Sequence, residues 1–211
     1  MMFANRADAA GKLAVALAQY AQIKPLVLGI PRGGVPMAAD IAERLGGDVD
    51  VVLVRKLGAP GNPEYAIGSV DESGWSYVSA DARAVGVDDA YLNAEKATQL
   101  ETIKRRRSLY TANRPQIEPR GRVVIVVDDG LATGSTMIAA LHALRARHPL
   151  KLVCAVPVAH PDTLERVGAG CDEVVCLEAP ESFRSVGQYY ADFSQVSDAE
   201  VIDSLTPRGG G

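Results

Sequence analysis

Apolar runs alternate with segments of helical periodicity along this 211-residue chain, and the alternation predicts a mixed α/β domain. Apolar side chains recur at helical spacing over residues 6–21, which predicts an opening amphipathic helix. Short apolar segments at 26–30 and 50–57 predict strands on either side of a helix at 35–45. Strand, helix and strand in this order imply a parallel sheet with a right-handed crossover.

The middle of the chain interrupts this rhythm. Residues 58–79 are rich in glycine and proline and contain two β-like stretches, which predicts a loop followed by a hairpin projecting from the sheet. A long polar helix is predicted over 88–112. Three further strands, separated by helices, are predicted at 123–127, 152–158 and 173–177.

These elements predict an open parallel β-sheet flanked by helices, in one domain with an appendage. We expect a core at 1–178, in which 58–79 are the flexible loop and hairpin, and a hood or cap at 179–205. The glycine-rich tail 206–211 is expected to be disordered.

Composition and charge restrict the classes of function. Hydrophobic residues make up 47% and charged residues 23%, the balance of a globular protein. The formal net charge of −4 argues against non-specific nucleic-acid binding, which needs a basic surface. No signal peptide or membrane span of about 20 apolar residues is recognisable, so we expect a cytoplasmic protein with no nucleic-acid or membrane partner.

The sequence VIVVDDGLATGST at 124–136 carries the strongest chemical signal. A buried strand delivers Asp128 and Asp129 to its C-terminal end, where open α/β sheets bind ligands. The loop then opens into a helix, so that free N–H groups, the helix dipole and three nearby hydroxyls face an incoming anion. A phosphate cradle beside two carboxylates that can accept hydrogen bonds from vicinal hydroxyls suits a ribose 5-phosphate.

Other interpretations of this segment fit less well. A Walker loop would require a lysine and a dinucleotide fingerprint would require GxGxxG, and neither pattern occurs here. Phospho-acceptor receiver domains place two acids on their first strand, whereas at least two predicted strands come before this one. A tight turn with an N-capping hydroxyl needs fewer acids and hydroxyls than this segment has.

Two upstream segments lie at strand ends on the same predicted edge. The loop Ile30-Pro31-Arg32-Gly33-Gly34 joins a strand to a helix, and its arginine and glycines suit a second anion. Arg55 and Lys56 end the following predicted strand. Alone, the first segment could be a plain glycine turn and the second surface charge.

The segment 124–136 resembles the phosphoribosyl-diphosphate (PRPP) motif of type I phosphoribosyltransferases: four apolar residues, two acids, three variable residues, then Thr-Gly-small-Thr. The resemblance implies the type I phosphoribosyltransferase fold, with Asp128 and Asp129 holding the ribose hydroxyls. It assigns the 5-phosphate to five consecutive residues: Ala132, Thr133, Gly134, Ser135 and Thr136.

The same resemblance extends upstream. Arg32, Gly33 and Gly34 resemble the pyrophosphate loop of bacterial xanthine-guanine enzymes, in which a non-proline cis peptide is frequent. Arg55 and Lys56 resemble the pair that meets pyrophosphate in the adenine and orotate members, and are catalytic candidates with the acid pair.

Residues 58–79 correspond to the flexible catalytic loop of the family, which excludes water when it closes. The candidates for contacts from this lid are Glu64, Tyr65, Asp71 and Glu72.

The implied reaction is attack of a nitrogen nucleophile on C1 of PRPP with release of pyrophosphate. Mg²⁺ is the implied cofactor, held by Asp128 and Asp129 either directly or through water. We also expect a homodimer. Overall the chain resembles bacterial phosphoribosyltransferases whose acceptor is not defined.

Candidate acceptor residues are Phe183 and Tyr189, with Tyr190 and Phe193 close by, and His160 at the same edge. The aromatic residues could equally pack the tail onto the core.

A second hypothesis is a PRPP-sensing regulator without turnover, for which the basic cluster at 104–107 is the only favourable feature. A solvated helix end carrying favourable positive charge explains that cluster better. A phosphatase-like hydrolase is a third possibility, but no nucleophile is recognised.

Overall fold

The computed structural model describes residues 2–79, 82, 86–111 and 115–206. The strands in these ranges are β1 (Leu26–Gly29), β2 (Asp48–Val51), β3 (Val54–Ala59), β4 (Asn62–Asp71), β5 (Ser76–Val78), β6 (Val123–Val127), β7 (Lys151–Val158) and β8 (Glu173–Glu178). The α-helices are α1 (Arg6–Ala16), α2 (Gly34–Leu45), α3 (Asp89–Thr111), α4 (Ser135–Arg145), α5 (Pro161–Gly168) and α6 (Asp198–Leu205). Short 3₁₀ turns cover Ala18–Tyr20 and Val186–Tyr189.

Five parallel strands form the central sheet in the order β2-β1-β6-β7-β8, which confirms the predicted architecture. Alternate side chains enter opposite layers, as the period of two requires. Val27 and Ile125 pack with α1 and α2, while Leu28 and Val126 pack with Met137 of α4. Both faces of the sheet are therefore covered, and its three middle strands, β1, β6 and β7, are almost entirely apolar and buried.

The order of the strands locates the crevice of the sheet. From β1 the chain passes to β2 on one side, and β6 pairs with β1 on the other side. Open α/β sheets bind ligands where neighbouring strands lead off in opposite directions, beyond their carboxyl ends. The loops after β1 and β6, which hold Arg32 and Asp128, meet at this point.

The prediction of a single strand over 50–57 is wrong. The chain leaves the central sheet after Val51, and β3 begins a separate antiparallel sheet in the order β3-β4-β5. A tight turn at 60–61, with Gly61 at a φ of 72°, joins β3 to β4 in place of the predicted open loop. Residues 54–59 thus pair with 62–71, which the sequence of 50–57, with its apolar stretch at 51–54, did not reveal. The mobility of this region stays a prediction.

The segment after β8 returns to the start of the chain. Phe3 and Tyr190 form a parallel bridge, in which the Phe3 N–H donates to the Tyr189 carbonyl at 2.7 Å and the Ala191 N–H donates to the Phe3 carbonyl at 2.8 Å. The Phe3 side chain is fully buried. This pairing attaches the predicted hood to the N-terminal helix.

Helix α6 differs from the sequence prediction, which placed no helix in the segment 179–205. Ser197 and Glu200 form a capping box at its start, a sequence signal that could have revealed it. Its buried Val201 and Leu205 pack in the cluster of Val35 and Ile103. Of the tail predicted to be disordered, residues 207–211 lie outside the described residues.

No helix in the described ranges combines the length and the apolar character needed to cross a membrane.

Candidate functional site

Asp128 and Asp129 follow β6 directly, as the sequence indicated. The Asp129 N–H donates to Asp128 Oδ1 at 2.9 Å, so the first carboxylate is oriented by the backbone of the second. Burial and the negative charge of Asp129 raise the pKa of Asp128 well above its ordinary value. Burial also raises the pKa of Asp129, and the nearby guanidinium of Arg6 opposes that rise.

Arg6, the first residue of α1, is a site residue that the sequence did not reveal. Its Nε and Nη2 atoms lie 2.8 and 2.7 Å from Asp129 Oδ2. Its Nη1 donates to the Ser194 carbonyl at 2.7 Å, and its guanidinium lies 4.0 Å from the centre of the Phe193 ring. Both carboxylate and guanidinium are largely buried, so the N-terminal helix and the hood together hold Asp129.

The hood also contacts the backbone of the acidic loop. The Tyr190 hydroxyl donates to the Asp129 carbonyl at 2.7 Å, and burial raises the pKa of this phenol, which keeps it a donor. Gly130 has a φ of 155°, and a Cβ there would lie 2.5 Å from Val186 Cγ1. The segment 186–194 therefore lies directly over the end of β6.

Helix α5 holds the hydroxyl-rich loop from the outside. The Thr163 hydroxyl donates to the Ala132 carbonyl, and Arg166 Nη2 donates to the Thr133 carbonyl, each at 3.2 Å. Gly134 adopts a φ of 69° immediately before α4 and supplies no side-chain cap. The N-terminus of α4 thus offers its N–H groups and the Ser135 hydroxyl to a ligand, with the exposed Thr133 beside them.

The loop after β1 packs against the acidic loop with no room for a side chain. A Cβ at Gly33 would lie 1.9 Å from Asp129 Oδ2, and one at Gly34 would lie 2.4 Å from the Val127 carbonyl oxygen. The peptide between Pro31 and Arg32 is cis, as the family resemblance implied. The two glycines are therefore needed to bring the two loops together.

A cleft of about 370 Å³ continues from these loops toward β3 and α3. Arg55 and Lys56 line it together with Pro31 and Thr136, so the structure brings three of the predicted segments to one cavity. Arg55 Nε donates to Gln99 Oε1 at 2.9 Å. Burial, and then the positive charge of Arg106, lower the pKa of Arg55.

The contacts described for the three predicted acceptor residues are with groups other than the acidic pair. His160 caps α5, its Nδ1 accepting from the Asp162 N–H at 3.2 Å. Phe183 and Tyr189 stack on each other at 5.7 Å and pack against the core, and the Tyr189 hydroxyl donates to the Ser182 carbonyl. The hood aromatics next to Asp129 are Tyr190 and Phe193 instead. A role of the first three in acceptor binding stays a prediction.

The four candidates for lid contacts also lie in different surroundings. Asp71 is buried and organises the β4–β5 turn by accepting from the Ser73 hydroxyl and the Trp75 N–H. Glu72 accepts two bonds from Arg107. Tyr65 is exposed. The side chain of Glu64 lies outside the described residues.

A magnesium ion fits the acidic pair only with help from a ligand. Within the described ranges, no three His, Cys, Asp or Glu side chains cluster as a metal site. Two carboxylates match the way Mg²⁺ binds, through one or two protein ligands, water and substrate phosphates. The three cysteines, Cys154, Cys171 and Cys176, are free thiols.

The fold and these loops define a phosphoribosyl transferase domain. The family model of the phosphoribosyl transferase domain matches residues 3–194, and this chain belongs to that family. Its sheet and flanking helices have the type I phosphoribosyltransferase fold that the sequence predicted.

Individual relatives support this assignment. Proteins of two Mycobacterium tuberculosis strains, both named "putative phosphoribosyl transferase", are 42% identical to this chain over 205 residues. The match covers 97% of this chain and 46% of each relative, so the chain spans just under half their length. The crystal structure of TT1426 from Thermus thermophilus superposes with a TM-score of 0.88 at 46% identity, covering 97% of this chain and 98% of that one.

Proposed function

We propose that this protein transfers the ribose 5-phosphate of PRPP to a nitrogenous acceptor of the nucleobase type and releases pyrophosphate. One observation carries the proposal: the acidic loop after β6 and the glycine loop after β1 are in contact, beside a cleft that contains Arg55 and Lys56. Carboxylates, a phosphate cradle and cationic side chains would thus meet the ribose hydroxyls, the 5-phosphate and the pyrophosphate of PRPP, respectively.

The acidic pair would bind the ribose. Asp128 and Oδ1 of Asp129 would accept hydrogen bonds from the vicinal hydroxyls, since Arg6 occupies Oδ2 of Asp129. The loop from Ala132 to Thr136 would receive the 5-phosphate through N–H groups and hydroxyls. Together these contacts fix C1 at the edge of the cleft, where positioning can lower the barrier.

The cationic groups would stabilise the leaving group. As the nitrogen–C1 bond forms and the C1–oxygen bond breaks, negative charge moves onto pyrophosphate and the acceptor nitrogen loses its proton. Arg32, Arg55 and Lys56, with the backbone of Gly33 and Gly34, face that developing charge. Bound Mg²⁺ would neutralise further charge on the pyrophosphate, with Asp128 and Asp129 as its protein ligands.

The hood would cover the acceptor. Its segment 186–194 overlies the acidic loop, and the Phe193 ring, with the Arg6 guanidinium 4.0 Å from its centre, would offer a flat, polar-edged surface beside Asp129. Planar heteroaromatic rings bind well to such surfaces. This position supports an aromatic base rather than an aliphatic amine.

The decisive test is a panel of purine and pyrimidine bases, incubated with PRPP and Mg²⁺ and monitored for pyrophosphate release. We expect at least one base to be consumed, and the variant D128N/D129N to lose the activity. The control is Asp172→Asn, which changes an exposed carboxylate of the Arg145 ion pair and should leave the activity intact.

Tight PRPP binding without release of pyrophosphate in the presence of any base would instead support the PRPP-sensing regulator. PRPP affinity that survives in D128N/D129N would refute the ribose assignment. The homodimer and the cytoplasmic location stay predictions, and the first is tested by measuring the mass of the protein in solution.

A further inference from the structure

Helix α3 carries four consecutive basic residues, and each occupies a different environment. Successive side chains on a helix point about 100° apart. Lys104 is exposed and pairs with Glu101 at 3.3 Å, whereas Arg107 is buried between Asp50 and Glu72. The remaining two, Arg105 and Arg106, face a cavity.

That cavity adjoins the loop after β1. It has a volume of about 780 Å³, and Arg105 and Arg106 line it together with Pro31, Arg32 and Tyr110. Arg106 and Pro31 also line the 370 Å³ cleft of Arg55 and Lys56. Arg106 therefore lies between two cavities that share the wall formed by Pro31.

Within the described part of the chain, four cations of these two cavities form no ion pair with a carboxylate. No carboxylate of the described ranges lies within ion-pair distance of Arg32, Lys56, Arg105 or Arg106. The acidic side chains in the cavity walls have other partners. Asp198 accepts from the Tyr110 hydroxyl at 2.9 Å, and Glu95 accepts from the Gly58 N–H and from Gln99.

We propose that Arg106, assisted by Arg105, binds the pyrophosphate group of PRPP and extends its site from the loop after β1 onto α3. Guanidinium groups bind phosphate oxygens in a bidentate manner, and several of them in a concave site favour a compact polyanion. The inference rests on the proposed function, which supplies the anion. It also gives part of the basic cluster at 104–107 a function other than nucleic-acid binding.

Calorimetric titration with inorganic pyrophosphate, at constant ionic strength, tests the assignment. We expect Arg106→Gln to weaken pyrophosphate binding at least about tenfold, the effect of losing a charge-assisted hydrogen-bond pair, and R105Q/R106Q to weaken it further. Arg106→Lys should recover part of the affinity, because it keeps the charge but loses the planar fork. Ribose 5-phosphate affinity should be unchanged in all three variants.

Lys104→Gln is the matched control, since it removes one positive charge from the same helix outside the cavity. It should bind both ligands like the unaltered protein. The inference would be overturned if R105Q/R106Q bound pyrophosphate as tightly as the unaltered protein, or if the unaltered protein did not bind pyrophosphate. It would also be overturned if Arg106→Gln lowered the affinities for pyrophosphate and for ribose 5-phosphate equally. If the unaltered protein binds pyrophosphate but neither ribose 5-phosphate nor PRPP, the proposed function fails instead.

Discussion

Asp128 and Asp129 are neighbours in sequence but have different electrostatic partners. Oδ2 of Asp129 forms an ion pair with Arg6. Asp128, in contrast, accepts a hydrogen bond from the backbone N–H of Asp129 and lies beside that second negative charge. Protonation of the pair therefore falls mainly on Asp128, whose pKa is the more strongly raised. A protonated carboxyl is a poorer acceptor for a ribose hydroxyl, so ligand binding depends on this proton.

We predict that ribose 5-phosphate affinity falls as the pH is lowered through the raised pKa of Asp128. The reason is that the ionised carboxylate accepts the hydroxyl hydrogen bonds. Ionisation of the phosphate itself, near a pKa of about 6, affects every variant alike. Dissociation constants measured against pH for the unaltered protein and for Asp128→Asn separate the two effects. Parallel curves for both proteins would contradict the prediction.

The stability of the ligand-free protein should change with pH in the opposite direction to ligand affinity. Because the folded-state pKa of Asp128 exceeds its unfolded value of 3.8, the folded protein binds the proton more tightly. Its contribution to the free energy of unfolding is complete below the unfolded pKa, and is lost as the pH rises through the folded pKa.

Local patterns revealed the acidic pair but not its partner. The segment 124–136 is contiguous, so its strand, carboxylates and glycine turn can be recognised together. Arg6 lies 123 positions before Asp129, in a helix where it forms one polar position among several. Backbone hydrogen bonds between residues 3–4 and 190–192 bring Arg6 to the site, and no local sequence pattern predicts that pairing.

At the scale of elements, the site depends on how closely two strand-to-helix loops approach. Gly34 begins α2, and its missing side chain allows the backbone of Val127 and Asp128 to pack against it. The neighbouring atoms are backbone rather than the end of a flexible side chain. A methyl group therefore cannot be accommodated without moving β6 or α2.

We expect Gly34→Ala to lower the free energy of unfolding by about 1–3 kcal/mol, as overpacking does, and to weaken ribose 5-phosphate binding. Gly11→Ala is the control, because a Cβ there meets only the Arg44 guanidinium at 3.8 Å. In the middle of α1 this change should stabilise the fold by about 0.4–1 kcal/mol. Urea unfolding measures both effects, and equal stability of the two variants would refute the packing argument.

Arg107 joins α3 to both sheets. It donates to Asp50 and to the Val51 carbonyl of β2, and it makes two bonds to Glu72 beyond the end of β4. Asp50 is fully buried. This residue of the basic cluster is therefore a structural one.

Arg107→Ala should destabilise the protein by about 3–5 kcal/mol, because it removes the counter-charge of a buried carboxylate. Arg145→Ala removes an arginine from an exposed pair with Asp172 and should cost less than about 1 kcal/mol. Chemical denaturation of both variants makes the comparison. A similar small loss in each would show that the buried pair contributes little.

Hydrophobic periodicity predicted most helices and strands, because it reflects the local sequence. It failed where the pairing of strands depends on distant residues. The apolar run 50–57 looks like one strand, but β2 pairs with β1 while β3 pairs with β4. Nothing in the run itself marks Val51 as the end of the first strand. In contrast, α6 carried a recognisable capping box and could have been predicted.

For the whole molecule, the site joins segments from both ends of the chain to the central sheet. Residues 3–6 and 186–194 close over the loop after β6, and they hold each other by backbone hydrogen bonds. The family and the fold were recognisable from the sequence. The hood at 179–205 stays a prediction, and which of its aromatic residues approach Asp129 follows from tertiary packing alone.

We expect ribose 5-phosphate to stabilise the whole fold through linkage. At a concentration one hundred times its dissociation constant, a ligand adds about 2.7 kcal/mol to the free energy of unfolding. The variant D128N/D129N should show no rise in unfolding temperature under the same conditions, whereas Asp172→Asn should match the unaltered protein. A full rise in D128N/D129N would place the ligand elsewhere.

The bond between Arg6 and the Ser194 carbonyl spans 188 positions and has a consequence for the order of assembly. As the chain leaves the ribosome from its N-terminus, β1, β2, β6 and β7 are all available before residue 194 emerges. The sheet can form early, while Asp129 acquires its final partners only after residues 186–194 have emerged. A nascent chain that stops before the hood would therefore have the scaffold of the fold but an acidic loop without its fixed geometry.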